Sequence, residues 1–396
     1  MKITFILPVI GISGGTRVVF ELANRLKNRG HEVAIVYPLM LLKITPKFSL
    51  KNFIKQIGYV LLNIKQGVKV NWMTVKAKLI RIPTLSPRFV HFFEDKIPDG
   101  DIIIATSWET AYPVSKLSER KGKKFYFVQH YEVWDVWNNI EYWERAEKFA
   151  ENKNKLYLFM ADIVPENYLS RKQKELVDNT YRLPLKKITT SLWLKELIER
   201  KFGENVERIT LGVNFDDFYL ENKKPKRKKI ILIPYRSLKW KGEEDGISAL
   251  KIVKEKFPDV EIIMYGTKKD SCIPSWIKFH KRVFGEELRK LYCSSDIFVS
   301  PSWIEGWGLP PMEAMACGVA CVITDTGGVS EYTIPGKTAF IVPPRNPEKL
   351  AKAILDLLED DEKRQRIAKA GYEYILQFIW DKTIDQLEKI LKKALP

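Results

Sequence analysis

Histidine and cysteine are scarce in this 396-residue chain, with four of each. No apolar run approaches the roughly 18 residues that a membrane-spanning helix needs, so only peripheral contact with a membrane is expected. Cys272, Cys293, Cys317 and Cys321 lack the paired spacing of a zinc site, which excludes a cysteine-built finger and points to buried or free thiols in a reducing compartment. The opening MKITFILPVIGISGG joins charge to an apolar run but leads straight on without a small-residue cleavage site. It therefore reads as strand, loop and helix rather than as a leader. Acid is missing from two places: residues 33–93 hold ten Lys or Arg and no Asp or Glu, and residues 222–229 hold six with none. These two stretches account for nearly all of the formal charge of +17. Neither carries a helix-turn-helix, zinc-finger or RNA-binding signature, so a nucleic-acid binder is the lesser reading of that charge.

What is present is a chain too long for a single core, with 45% apolar residues to fill two. The chain is organised around residues 300–318, SPSWIEGWGLPPMEAMACG, where Glu305 and Glu313 stand eight positions apart. Ile297, Phe298 and Val299 form an apolar strand, Gly306 and Gly308 a turn, and Pro310 and Pro311 suit the first turn of a helix. Glu305 then falls on the loop and Glu313 on the helix start, beside free N–H groups and the positive end of the macrodipole. Such a crevice favours an anion. A carboxylate accepts two hydrogen bonds at once, so Glu313 suits a ribose diol next to a phosphate held by the loop amides.

Elsewhere strands and helices alternate, the mark of an α/β chain. Residues 3–7 form a buried strand, followed by Gly11, Gly14 and Gly15 and a helix through Leu26. Gly30 closes that helix, and residues 33–37 are the second strand. Residues 102–105 and 125–129 are strands ending in polar clusters: Thr106, Ser107, Trp108 and Glu109, then His130, Tyr131 and Glu132. Ligands sit at such strand ends. Asp99 and Asp101 make a D-x-D, the pattern of metal-nucleotide sites, but they precede a buried strand where polar turn residues are expected. Arg236 and Lys241 lie five apart after an apolar strand at 230–233, two cations suited to a diphosphate that Glu305 and Glu313 would otherwise repel. The expected organisation is a first domain at 1–218 with a basic insertion at about 39–93, a basic linker at 219–229, a second domain at 230–376, and a terminal helix at 377–396 crossing back with Trp380 at the bend.

The stretch 300–318 resembles the E-x7-E signature of the retaining GT-B glycosyltransferases, the glycosyl transferase group 1 class. The likeness covers nearly all of 230–396 and, more thinly, 1–218. It implies two Rossmann-like domains facing a cleft, the second for a nucleotide-sugar and the first for a glycan or lipid-linked acceptor. The implied reaction is hexosyl or deoxyhexosyl transfer with retention, without metal or other cofactor, in the cytoplasm or on the inner face of the membrane. Carried over residue by residue, His130, Glu305, Arg236 and Lys241 are the catalytic set. Gly14, Gly15, Val283, Gly306, Trp307, Gly308, Leu309 and Glu313 contact the donor, Val283 through its backbone at the base. Arg236 and Lys241 match the spacing of the family's "GRL…KG" motif, with Tyr235 in place of the common glycine. LGVNFDDF, residues 211–218, resembles the "NG(V/I)D" loop, with Asn214 for the usual aspartate. A transferase-like subunit without activity is the competing class, and the intact Arg236, Lys241, Glu305 and Glu313 set speaks against it.

One segment is left with two readings. Phe53, Ile54, Ile57, Val60, Leu61, Ile64 and Val68 share an arc of about 120° of a helix, with Lys51, Lys55, Lys65 and Lys69 beside them. This is either a stripe packed on the first sheet or an interfacial helix for anionic lipid, with Trp72 and Met73 just beyond.

Overall fold

A computed structural model of the chain describes residues 1–40, 70, 72–133, 144, 157, 162–221 and 228–395. The arc of apolar residues between Phe53 and Val68 with its four lysines, and the linker residues 222–227, lie outside the described residues.

Short runs of Ile, Val and Phe, apolar on both faces, give parallel strands that must be covered by helices on either side. The first sheet has seven strands: β1 (Lys2–Ile6), β2 (Glu32–Met40), β3 (Lys78–Thr84), β4 (Ile102–Ala105), β5 (Lys123–Val128), β6 (Lys186–Thr189) and β7 (Val206–Arg208). Their order is β3-β2-β1-β4-β5-β6-β7, and every pair is parallel. The second has six: β8 (Ile230–Tyr235), β9 (Glu261–Gly266), β10 (Lys278–Lys281), β11 (Ile297–Ser300), β12 (Ala320–Thr324) and β13 (Phe340–Val342), in the order β10-β9-β8-β11-β12-β13. Strand order reverses between β1 and β4 in one sheet and between β8 and β11 in the other, and crevices for ligands open at the carboxyl ends of such switch points. The two Rossmann-like domains turn these ends toward one another.

The structure corrects the sequence reading of residues 39–93 as insertion throughout. Lys78–Thr84 forms β3, the edge of the first sheet, and β2 runs on to Met40 to pair with it. The basic residues of KLIRIPT hid this strand, because an edge strand keeps one side exposed and tolerates charge there. Nearby, Trp72 stacks on Phe20 with ring centroids 5.5 Å apart, so the chain just beyond the undescribed segment is anchored to the first core.

The terminal helix Trp380–Lys393 lies against the helix Gly14–Asn28 of the first domain. Its apolar face (Trp380, Ile384, Leu387 and Leu391) is buried in a core cluster that also takes in Phe20 and Leu26. On the rim, Arg29 reaches Asp385 at 2.5 Å, His31 reaches Glu388 at 3.0 Å, and Gln386 accepts from the Thr210 amide at 2.8 Å.

Candidate active site

The loop after β1 leads into the helix Gly14–Asn28, whose N-cap Ser13 accepts from the Thr16 amide at 3.1 Å. A Cβ on Gly14 would meet nothing, while one on Gly15 would touch the Gln129 side chain at 3.4 Å. Gln129, at the end of β5, is also where the other domain arrives. A Cβ on Gly306 would fall 1.8 Å from the Gln129 carbonyl oxygen, so only glycine permits this approach. Gly15 and Gly306, 291 positions apart in the chain, thus converge on one residue.

His130 follows, buried, with its ring edge-on to Trp193 at 6.2 Å. Burial, then the nearby Lys241 charge, holds its imidazole well below the usual histidine range, so it is neutral at pH 7. Trp193 in turn donates its indole N–H to the Glu305 carbonyl at 3.1 Å, fixing the loop between β11 and the helix Leu309–Ala316 from across the cleft.

In the second domain, Lys241 Nζ lies 2.7 Å from Glu305 Oε1. Arg236 is exposed at the end of β8, and its side chain makes no hydrogen bond or ion pair among the described residues. Gly308, at φ +92, is the N-cap of the helix Leu309–Ala316, and Pro310 and Pro311 occupy its first turn as their missing N–H groups allow. The Gly308 carbonyl accepts from the Tyr332 hydroxyl at 2.6 Å. Burial first, then the charges of Glu305 and Glu313, raises that hydroxyl well above the usual tyrosine range, so both signature carboxylates bear on one buried group.

Glu313 is 5% exposed, with a hydrogen-bond donor on each oxygen. Its Oε2 accepts from the Tyr292 hydroxyl at 3.0 Å, and Tyr292 is paired with Tyr265 at 2.8 Å. Its Oε1 accepts from Nη1 of Arg17, the fourth residue of the first-domain helix Gly14–Asn28. The charges of Glu313, Arg236 and Arg17 all act on Tyr265, which ties Arg236 to the same cluster. Sequence reasoning missed Arg17. The one signal was a cation two residues past the paired glycines.

Other candidates stand differently. The Trp307 indole is turned inward, 4% exposed, with its N–H on the Met312 sulfur at 2.7 Å, leaving only main chain for a ligand. Leu309 lines a small cavity with Arg17, Asn214, Met312 and Glu313. Val283 follows β10, partly buried against the first core cluster. Asn214 donates to Asp217 at 2.8 Å and accepts from Arg25 at 3.4 Å, filling the space an aspartate would take. Asp99 bonds Lys121 at 2.6 Å and Asp101 accepts from the Lys2 amide at 2.7 Å, both at the amino end of β4, away from the cleft. Glu132 accepts from the Trp108 amide at 2.6 Å, closing the N-terminus of the helix Trp108–Lys116.

A family model described as "Glycosyl transferases group 1" matches residues 216–374. The match takes in the second sheet and the helices that cover it, so residues 216–374 are similar to a group 1 glycosyl transferase domain. D-inositol 3-phosphate glycosyltransferase of Paenarthrobacter aurescens is 28% identical over 167 residues, 39% of this chain and 41% of that protein. The chain spans half or less of the length of the curated relatives it matches first. Sucrose-phosphate synthase from Thermosynechococcus elongatus superposes with a TM-score of 0.72 at 17% identity, covering 99% of this chain and 98% of that one. Anabaena HepE in complex with UDP gives 0.68 at 16% identity, covering 99% and 100%. The architecture of the whole chain is therefore GT-B, and the loop and helix carrying Glu305 and Glu313 occupy the switch point of its second sheet.

Proposed function

We propose that the chain transfers a hexosyl or deoxyhexosyl unit from a nucleoside-diphosphate sugar to a glycan or lipid-linked acceptor, with retention of configuration and without a metal. The observation that carries the reading is the cluster at the second switch point, where Lys241 and Glu305 pair beside a helix start bearing Glu313. The anionic leaving group is met there by Lys241 and Arg236, fixed charges that act where negative charge develops. Glu305 holds the sugar, and Glu313 receives the ribose hydroxyls. Neutral His130 offers a hydrogen bond to a sugar hydroxyl rather than a competing charge. UDP-bound HepE supports a nucleoside-diphosphate ligand for the fold.

Thermal stabilisation by a panel of nucleoside-diphosphate sugars identifies the donor by mass action. With that donor, transfer should persist in excess chelator, and Lys241→Ala should lose most of it. Loss of transfer in chelator with recovery on adding Mg²⁺ or Mn²⁺ sinks the metal-free reading.

The location follows from charge. No helix among the described residues is long and apolar enough to cross a membrane. The four lysines and the absence of acid at residues 51–69 support peripheral binding on the inner, anionic leaflet, each lysine adding about 1 kcal/mol near such a surface. Co-sedimentation with phosphatidylserine vesicles but not with phosphatidylcholine ones, weakened by salt, is the expected result. Equal binding after Lys51, Lys55, Lys65 and Lys69 are all changed to Gln removes the membrane from the proposal.

A further inference from the structure

The Glu313 carboxylate has two partners of different kinds. Tyr292 is buried and held by Tyr265, so the bond to Oε2 belongs to the fixed interior of the second domain. Arg17 comes from the other domain, and its side chain retains 23% exposure. A second carboxylate, Glu21, stands one helical turn on and acts electrostatically on the same guanidinium. Beside the pair lies the cavity bounded by Asn214, Leu309 and Met312. The guanidinium therefore has one acidic partner in each domain and space next to it, and each Glu313 oxygen already accepts one hydrogen bond.

We propose that Arg17 is the built-in occupant of the ribose position: it holds Glu313 in the unliganded chain, and a nucleoside-diphosphate ligand binds by exchanging its ribose hydroxyls for Arg17 on that carboxylate. The inference rests on the reading of Glu313 as the ribose acceptor. After exchange the released guanidinium has Glu21, shared with Arg25, on its own helix and the incoming diphosphate near the paired glycines. Exchange also makes donor affinity depend on the fraction of molecules in which Glu313 is free, so Arg17 lowers apparent affinity for the ribose part while adding positive charge for the phosphate part. Nucleoside and nucleoside diphosphate should then respond differently to its removal.

Calorimetric titration of uridine, guanosine, adenosine and their diphosphates against wild type, Arg17→Met, Arg17→Lys and Glu313→Gln tests this. For the base whose diphosphate binds wild type, Arg17→Met should bind the nucleoside about fivefold tighter or better, since the competitor is gone. The gain for the diphosphate should be smaller, or reversed. Arg17→Lys, which keeps the charge but loses the planar fork, should fall between, and it carries the test if Arg17→Met does not fold. Unchanged or weaker nucleoside binding in the Arg17 variants, with Glu313→Gln weakened, overturns the exchange and leaves the ribose role of Glu313 standing. No diphosphate binding to wild type, or nucleoside binding by Glu313→Gln equal to wild type, overturns the ribose role and the exchange with it.

Discussion

Gly306 shows what single residues in this chain contribute and how much of that the sequence displays. Its local pattern, E-G-W-G before a helix, marks a turn, and the resemblance marks a donor loop. The requirement for glycine comes from elsewhere, since its α-carbon lies against the Gln129 carbonyl of the other domain. Gly306→Ala should push the loop off the end of β5, stretch the Trp193 bond to the Glu305 carbonyl, and cost about 1–3 kcal/mol as overpacking does. A melting temperature equal to wild type would show that the domains already stand apart there. The same limit hid Arg17. Its bond to Glu313 closes a gap of 296 residues, and no helical or strand period reports on a pairing of that range. Glu305 with Lys241, by contrast, was legible because each sits in a short motif that fixes its place at a strand end.

At the scale of elements, the alternation of apolar runs and amphipathic helices located most of the second domain, where buried strands are short and bounded by glycine or proline. The helix Leu192–Phe202 is bounded by Ser191 before it and Gly203, at φ +67, after it. β3 escaped for the opposite reason, being basic and at an edge. The helix Glu243–Lys256 carries a consequence for pH. Glu243, Glu244 and Asp245 all lie in its first turn, and Glu243 is pushed up to about 7, by burial first, against its own backbone amide, and then by Glu244 and Asp245. A carboxyl whose folded value is raised favours the native state while protonated, so that contribution is present below about 4.5 and lost as pH rises through about 7. Wild type should therefore be less stable at pH 8 than at pH 5 relative to Glu243→Gln. The difference should be about 1 kcal/mol after allowance for partial exposure, read from urea midpoints at the two pH values. Parallel curves would mean that Glu243 is ionised at no cost.

For the whole molecule the question is whether two domains behave as one. One core cluster runs from Ile3 and Phe20 through Leu232 and Met312 to Trp380 and Leu391, crossing the domain boundary without a break. The ion pair of Arg29 with Asp385 decorates that seam at its exposed edge. Exposed pairs contribute about 0–1 kcal/mol, whereas deleting most of a buried leucine costs about 2–5 kcal/mol. Arg29→Ala should accordingly shift the calorimetric midpoint only slightly. Leu387→Ala, at 2% exposure in the middle of the terminal helix, should lower it clearly. The shape of the transition is the sharper readout. Because the helix packs into a core shared by both domains, the loss should lower one transition for the whole chain rather than split off a first-domain event. Two resolved transitions in wild type, with only one of them moved by Leu387→Ala, would mean that the terminal helix serves the first domain alone and that the seam carries no cooperativity.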